Sequence, residues 1–279
     1  MNHKKALLAG FLALALAVPA AAQKMKTISG QGRYTSRTLA EMPAFTKVEV
    51  RGDVEVDFMQ QPNVAVNVSG PENLVHLADV RVENGVLIIG YTQPVRVRGE
   101  RNLKVAVSAP ELEFVSVQQG GEFEVTGSLH TNAEVFGIVA TQNADVSIDH
   151  LQSASSVHVT ASDRAEVELN HMQVQRVEAF QNDRAEIDLS GKTQGVLLVN
   201  GGSRTLDAED LRSETVAANL FSSGDIKAYV TYLLVAKAEG RGKIIYKGYP
   251  TEIERKGNLK KIRRDRDDDH DYDDDDYDD

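Results

Sequence analysis

Two nearly identical phrases, DRAEVEL at residues 163–169 and DRAEIDL at residues 183–189, lie 20 residues apart in this chain. In both, acidic residues alternate with Val, Ile or Leu after the alanine, which is the period-two pattern of a strand with one buried face. Carboxylates beside an arginine could instead bind a metal ion or a sugar, or share a proton. Whether the phrase marks a repeated chemical site or a repeated structural unit depends on how far the repeat extends.

The repeat continues through the second half of the chain as a column of apolar residues. Successive members are separated by 23, 21, 20, 19, 20 and 18 residues. The column consists of Phe123, Val146, Val167, Ile187, Leu206, Ile226 and Ile244. Seven units near 20 residues are typical of a β-solenoid, in which neighbouring coils stack strand on strand. We therefore predict an all-β chain forming a right-handed parallel β-helix of about 20 residues per coil, its hand following the preference of parallel crossovers.

The segments that flank these units predict the domain organisation. A basic start, an apolar run and a small-residue cleavage site indicate a signal peptide over residues 1–22. Residues 23–44 are expected to be a flexible leader, and residues 45–250 the β-helical domain, with a cap and irregular first coils over 45–110 and regular coils over 111–250. Residues 251–279 are basic and then rich in aspartate, which predicts a disordered tail. Asn84-Gly85, between two apolar runs, predicts a hairpin.

Composition limits the classes of function. The chain has no cysteine, which excludes disulfides, thiolate metal sites and cysteine nucleophiles. Of the formal net charge of −11, residues 263–279 contribute −8, so the body is mildly acidic and nucleic acid is not an expected partner. No second long apolar run follows the signal peptide, so no transmembrane segment is expected in the mature chain. The protein should be exported, to the periplasm, the cell surface or the medium.

Several motifs in the chain resemble one known family. They are VEVRGDVEV at residues 48–56, VNVSGPENL at 66–74, VENGVLII at 82–89, VSAPEL at 107–112, and the closing GRGKIIYKGYP with Gly240, Gly242, Tyr246, Gly248 and Pro250. Together they resemble the head GIN domain family of exported bacterial proteins, labelled auto-transporter adhesins. The resemblance implies a β-helical fold outside the cytoplasm and brings no established activity or catalytic residue. The middle coils depart from the family's glycine-rich corners, since they read Gln-Asn-Ala and Asp-Arg-Ala.

Alternation also predicts an acidic stripe on the outside of the coils. If Val167 and Ile187 point inward, then Glu166, Glu168, Glu186 and Asp188 point outward, within a set of seven carboxylates on four successive coils. Stacked coils place like charges about 4.8 Å apart, and two such charges in water repel by roughly 0.8 kcal/mol. Weak Ca²⁺ binding is one interpretation, because Ca²⁺ prefers oxygen ligands. The favoured interpretation is a solvated face, partly neutralised by Arg164 and Arg184, with no cofactor.

Two further groups of residues have simpler explanations than a chemical site. His150 and His171 fall one coil apart and could begin a transition-metal site, but no third histidine follows, since the next coil has Gly191 and Lys192. Decoration of a corner is therefore favoured. Neighbouring carboxylates could also serve a polysaccharide enzyme. Repetition alone explains them, however, and the even coil lengths and 6% aromatic content argue against a substrate cleft.

The sequence therefore predicts an exported, non-enzymatic β-solenoid binding module, adhesin-like in character. Its partner would be an envelope polymer, a glycan or a protein, which the sequence does not specify. One alternative is a structural envelope protein that self-assembles into oligomers through its ends or flat faces. A carbohydrate-active β-helix enzyme is the other.

Overall fold

A computed structural model describes residues 25–99, 101–153 and 155–265 of the chain. About 67% of the residues are in strands and 4% in helices, and the chain winds into a β-solenoid of about eight turns with about 20 residues per coil. This confirms the predicted fold class, while the right-handed winding stays a prediction. The proposed signal peptide and the aspartate-rich residues 266–279 lie outside the described residues.

The strands are short at first and lengthen in the regular coils. The N-terminal elements are β1 (Lys26–Ser29), β2 (Tyr34–Leu39), β3 (Lys47–Arg51), β4 (Val54–Gln60), β5 (Ala65–Pro71), helix α1 (Glu72–Leu77), β6 (Ala78–Glu83), β7 (Val86–Tyr91), β8 (Val95–Arg98) and β9 (Leu103–Ala109). The following strands are β10 (Phe114–Gln118), β11 (Glu122–Thr131), β12 (Val135–Thr141), β13 (Asp145–Ser153), β14 (Ser156–Ala161), β15 (Glu166–Gln181) and β16 (Glu186–Asn200). The last elements are β17 (Leu206–Leu220), β18 (Ile226–Ala238), β19 (Ile244–Lys247), β20 (Glu252–Gly257), a 3-10 turn (Leu259–Lys261) and β21 (Ile262–Arg264).

Each regular coil contributes three pairing segments, which stack into three faces. In β16, residues 186–189 belong to face A, residues 190–193 to face B and residues 195–200 to face C. Face A also contains β4, β9, β19 and β21, and face C contains β3, β7, β10, β12, β14 and β20. The pairing between coils is parallel, and bulges interrupt it where face A meets face B. The three faces enclose one narrow core.

The apolar column identified in the sequence forms one inward ladder of face A. Its seven residues pair in register from coil to coil and are buried. Leu198 and Ala218 occupy a similar ladder on face C. Complete burial of a Val, Leu or Ile side chain stabilises the folded chain by about 1.5–3 kcal/mol, so these ladders supply the main driving force for stacking.

The N-terminal coils do not stack in the order of the chain. β3 and β4 lie between β7 and β9 on one side and β10 and β11 on the other. Between β4 and β7 the chain leaves the parallel stack, pairs β5 antiparallel with β9, and forms α1. The predicted hairpin is confirmed: β6 and β7 are antiparallel, and Asn84 and Gly85 have φ values of 52° and 76°.

The prediction of a flexible leader over residues 23–44 is corrected by two strands. β1 pairs parallel with β8, and β2 pairs antiparallel with β5 along its whole length. β2 thereby covers the edge of β5 that does not pair with β9, and is itself the outermost strand of this antiparallel extension among the described residues. The sequence pattern of this segment is weak because these strands are largely exposed and are held mainly by main-chain hydrogen bonds.

The prediction of a disordered tail over residues 251–279 is also corrected, for the first part of that segment. β20 pairs with β18, and β21 pairs with β19, so residues 252–264 form a further coil. Every residue of β20 is exposed, which explains the missing alternation of apolar residues. Basic side chains secure this coil: Lys261 Nζ donates to the Gly240 carbonyl at 2.6 Å, and Arg255 donates to the Tyr246 hydroxyl at 3.0 Å.

The corners before face A explain both the glycine motif and its absence from the middle coils. A Cβ at Gly240 or Gly242 would clash with a carbonyl oxygen of the preceding corner, so the last corners stack too closely for a side chain. In the middle coils, Asn143 and Asp163 have φ near +60° and +53° and tolerate this conformation better than most residues. In the rest of the closing motif, Tyr246 is buried next to Ala228, Gly248 has φ +82°, and Pro250 lies between β19 and β20.

Candidate functional site: the acidic face and the histidine corner

The outward positions of face A form two acidic columns. The first column contains Glu55, Glu122, Asp145, Glu166 and Glu186, and the second contains Asp57, Glu124, Glu168, Asp188 and Asp207, with Ser147 between Glu124 and Glu168. We call these ten carboxylates the acidic ladder. Glu166, Glu168, Glu186 and Asp188, which the sequence indicated, lie at its centre.

Sequence reasoning missed the ladder's N-terminal end. Glu55 and Asp57 pair with Glu122 and Glu124 because β4 stacks directly on β11. The alternation EVDF at residues 55–58 was a usable signal, since it matches EFEV at residues 122–125. The long insertion between β4 and β11 hid the relation, because it breaks the 20-residue spacing.

Lysine side chains form ion pairs with the carboxylates at both ends of the ladder. Lys104 pairs with Glu55 at the first coil. At the other end, Lys227 Nζ lies 2.9 Å from Asp207 and 3.0 Å from Glu209. Arg204 pairs with Glu186 at 2.7 Å. Within the described part of the chain, the arginine paired with the ladder is therefore Arg204, and not Arg164 or Arg184 as the sequence suggested.

The centre of the ladder holds protons more tightly than its N-terminal end. Partial burial, and then repulsion from Asp207, Glu186 and other ladder carboxylates, raises the pKa of Asp188 to about 6. Burial also raises the pKa values of Asp145 and Glu166, again with help from neighbouring carboxylates. Burial opposes ionisation of Glu55 as well, but hydrogen bonds from Lys104 and Asn102 leave its pKa lowered. The ladder can attract cations or a basic partner, although repetition of one outward position suffices to explain it.

The two histidines meet where face A ends and face B begins. The rings of His150 and His171, on neighbouring coils, lie 4.7 Å apart between centroids and are tilted by 31° to each other. Asp149 lies between their nitrogen atoms: its Oδ2 is 3.3 Å from His150 Nε2, and its Oδ1 is 3.2 Å from His171 Nδ1. From the sequence no third ligand is expected, because no third histidine follows. The third potential ligand is instead the carboxylate of Asp149, which precedes His150 and reaches the next coil.

On face C, part of the outward surface of β15 to β18 is apolar. Several half-buried aliphatic and aromatic side chains stand next to one another there on neighbouring strands. We call this set the apolar strip: Phe180, Leu197, Val199, Ala217, Leu233 and Val235. Polar residues border it, among them Glu178, paired with Arg176 at 3.5 Å, and Lys237, paired with Glu239 at 2.8 Å.

A polar groove of about 620 Å³ follows the corner before face A. Asp163 and Arg164, from the first of the two repeated phrases, line it together with Asp53, Arg96 and Gln119. Burial raises the pKa of Asp53, whose carboxylate accepts a hydrogen bond from the Val97 amide at 2.8 Å. Asp53 thus ties the segment after β7 to the corner, and this structural role accounts for its position.

The family model "Putative auto-transporter adhesin, head GIN domain" matches residues 44–250. The chain belongs to this family, as the motifs in its sequence suggested. A comparison with curated proteins found no match.

Solved structures of proteins from Parabacteroides and Bacteroides species share the fold. A protein described as a putative lipid binding protein, from Parabacteroides distasonis, aligns with a TM-score of 0.76 at 21% identity, covering 86% of this chain and 100% of the other. A putative adhesin from Parabacteroides merdae aligns with a TM-score of 0.74 at 17% identity, covering 86% and 99%. A putative adhesin from Bacteroides fragilis gives 0.58 at 21% identity, covering 85% and 100%. At these identities, the likeness supports the solenoid fold alone.

Proposed function

We propose that this chain is a non-enzymatic, adhesin-like binding module of the cell envelope that docks on a protein partner through the apolar strip of face C. The observation that carries the proposal is the contrast between outward positions on the same coils. Face A carries carboxylates, as solubility requires, whereas the apolar strip places half-buried aliphatic groups side by side on adjacent strands at the surface. Contiguous exposed apolar patches of this kind mark interaction sites.

The chemistry of the strip favours a protein over a glycan. Five of its six residues are aliphatic, and Phe180 is its single aromatic ring. An apolar centre with a polar rim is the usual anatomy of a protein–protein interface. The pairs Arg176–Glu178 and Lys237–Glu239 would lie in such a rim.

Binding is favoured over catalysis because the ladder carboxylates need no catalytic explanation. They recur wherever the outward position of face A recurs, including at Glu55 and Asp57, where β4 returns to the stack. The family's label points to adhesion as well. Export to the periplasm or the cell surface is part of the proposal, and none of the helices in the described part of the chain has the length and hydropathy of a membrane span.

The test compares two matched double variants in a pull-down from solubilised cell envelope. The face C variant is Leu197→Asn with Val235→Asn, and the face A control is Glu168→Gln with Asp188→Asn. We expect the face C variant to lose a protein that the wild type and the control both retain, with all three chains showing the same circular dichroism spectrum. Equal retention by both variants, or retention of a glycan alone on a glycan array, would contradict the proposal.

Self-assembly is the second candidate, and one observation favours it. Among the described residues, β20 pairs with β18 along one edge and has no partner along the other, so the last coil offers main-chain groups to a second copy. Light scattering on the purified chain decides between the two. A concentration-dependent dimer that Ile253→Pro abolishes would support assembly, and a monomer at all concentrations would rule it out.

A further inference from the structure

We propose that Asp149, His150 and His171 form a binding site for a divalent transition-metal ion such as Zn²⁺ or Cu²⁺. Each of the three residues offers one donor atom, and these atoms lie within 4.8 Å of one another. Two donors come from one coil and the third from the next, so the site bridges two layers of the solenoid. The proposal is independent of the function proposed for face C.

The distances match the edges of a coordination polyhedron. Zn²⁺ lies about 2.0–2.1 Å from imidazole nitrogen and carboxylate oxygen atoms, which places two donors of a tetrahedral site about 3.4 Å apart. The carboxylate oxygens of Asp149 are 3.3 Å from His150 Nε2 and 3.2 Å from His171 Nδ1. The two contacts are made by different oxygens of one carboxylate, so Asp149 would turn to present one of them to an ion shared with both rings.

The donor set selects the class of metal. Two imidazoles and a carboxylate suit Zn²⁺, Cu²⁺ and Ni²⁺, whereas Ca²⁺ and Mg²⁺ take oxygen ligands. The side chains are 60%, 48% and 66% exposed for Asp149, His150 and His171, so water can reach the ion. Three protein donors with the remaining position open to water is the arrangement of an accessible metal centre, in contrast to a closed structural site with four protein ligands.

Unlike the acidic ladder, this cluster does not follow from repetition. In the preceding coil, the residue that pairs with His150 is Ser128. In the following coil, Gly191 pairs with Met172, the residue after His171. Among the described coils, imidazoles therefore occur at this corner in two. His171 has φ 47°, a left-handed conformation that is uncommon for a residue other than glycine. Its amide donates to Ser190 Oγ at 3.2 Å, and that hydroxyl donates to Asn170 Oδ1 at 3.0 Å. These bonds hold the bulge that turns His171 toward Asp149.

The neighbouring acidic ladder would help to load the site. Glu168 lies two residues before Asn170 in the same coil, and its carboxylate accepts a hydrogen bond from Asn170 Nδ2 at 2.6 Å. A surface lined by one sign of charge raises the local concentration of counter-ions. The ladder would concentrate divalent cations along face A, and the two imidazoles would select among them.

The test measures Zn²⁺ binding to the full chain by isothermal titration calorimetry. His171→Asn is the informative variant, because asparagine tolerates positive φ and the substitution removes the imidazole without straining the bulge. His150→Gln removes the other ring. The matched control is His76→Gln, since His76 faces Glu72 at 4.0 Å on α1 and belongs to no cluster of potential metal ligands among the described residues. We expect each corner variant to weaken the tightest Zn²⁺ site by at least about tenfold, and the control to leave it unchanged.

Two further readouts separate this site from the aspartate-rich tail. Millimolar Ca²⁺ should leave Zn²⁺ binding at the corner intact, whereas it would compete at carboxylates. Electron paramagnetic resonance of one equivalent of Cu²⁺ should show nitrogen hyperfine coupling in the wild type that His171→Asn diminishes. Unchanged Zn²⁺ affinity in both corner variants, or a Cu²⁺ spectrum with oxygen ligands alone, would overturn the proposal.

Discussion

Faces A and C are built from the same strands, yet they present opposite surfaces to the solvent. Inward, both carry ladders of buried, mostly apolar side chains, as Ile187 and Leu198 of β16 illustrate. Outward, β16 places Glu186 and Asp188 on face A but Leu197 and Val199 on face C. The solenoid needs one half of each strand for its own stability and leaves the other half free, so function is to be sought in the outward half.

The largest change in stability should come from the inward side chains, which on both faces pack into the same core. We expect Ile187→Ala and Leu198→Ala each to lower the free energy of unfolding by about 3 kcal/mol, because each leaves a cavity in a fully buried ladder. Urea denaturation followed by circular dichroism measures both. A large loss for one variant and a negligible loss for the other would show that the faces do not share a single core.

A smaller effect of opposite sign should come from the outward half of face A. The pKa of Asp188 in the folded chain is about 6, against an ordinary value of 3.8, so its ionisation destabilises the fold above pH 6, and this penalty is relieved as the pH falls toward 4. Asp188→Asn should therefore stabilise the chain at pH 7 by about 1 kcal/mol after solvent screening. Thermal melting at pH 5 and pH 7 measures it, and the variant should show a smaller rise in melting temperature on acidification than the wild type.

Asp57→Asn is the matched control for that experiment. Asp57 belongs to the same column but pairs with Glu124 on one side and with Ala106 on the other, so it has fewer carboxylate neighbours. A gain at residue 57 equal to that at residue 188 would mean that crowding at the ladder's centre is not the cause.

The smallest change in stability should come from Lys227, the cation at the C-terminal end of the acidic ladder. Lys227 contacts Asp207 and Glu209, and hydrogen bonds to these carboxylates raise its pKa. Lys227→Met should lower the free energy of unfolding by about 0.5 kcal/mol, and the loss should shrink in 1 M salt, where charges are screened. Adding Asp207→Asn to the variant should restore part of the loss. Chemical denaturation of the single and double variants at both salt concentrations provides the measurement.

The regular coils could be predicted from sequence because their evidence is local. Val167 and Leu169 reveal a strand by alternation, and Ile187 and Leu189 reveal the next coil by an unchanged interval. The outward direction of Glu166 and Asp188 follows automatically from the same alternation. That His150 and His171 fall one coil apart also follows from the interval, and in the structure their ring centroids are 4.7 Å apart.

The remaining features bring together residues that are not separated by the regular interval of about 20 residues. β2 and β20 are exposed strands without alternation, so main-chain pairing with β5 and β18 alone reveals them. Glu55 joins the ladder across an insertion that has no fixed length. The apolar strip was overlooked because Leu197 and Val199 read as core residues in an apolar run, and their outward direction shows only in the structure.

The sequence by itself determined the solenoid, the length of its coils and the inward residues of its regular part, because burying one side of a strand imposes a period of two and closing a coil imposes a period near 20. The tertiary structure decided which outward side chains meet. It brought β4 against β11, and it placed the carboxylate of Asp149 between imidazoles from two coils. Such contacts depend on side-chain direction at bulged corners and on the order in which irregular coils stack. Neither of these produces a periodic pattern of residues in the sequence.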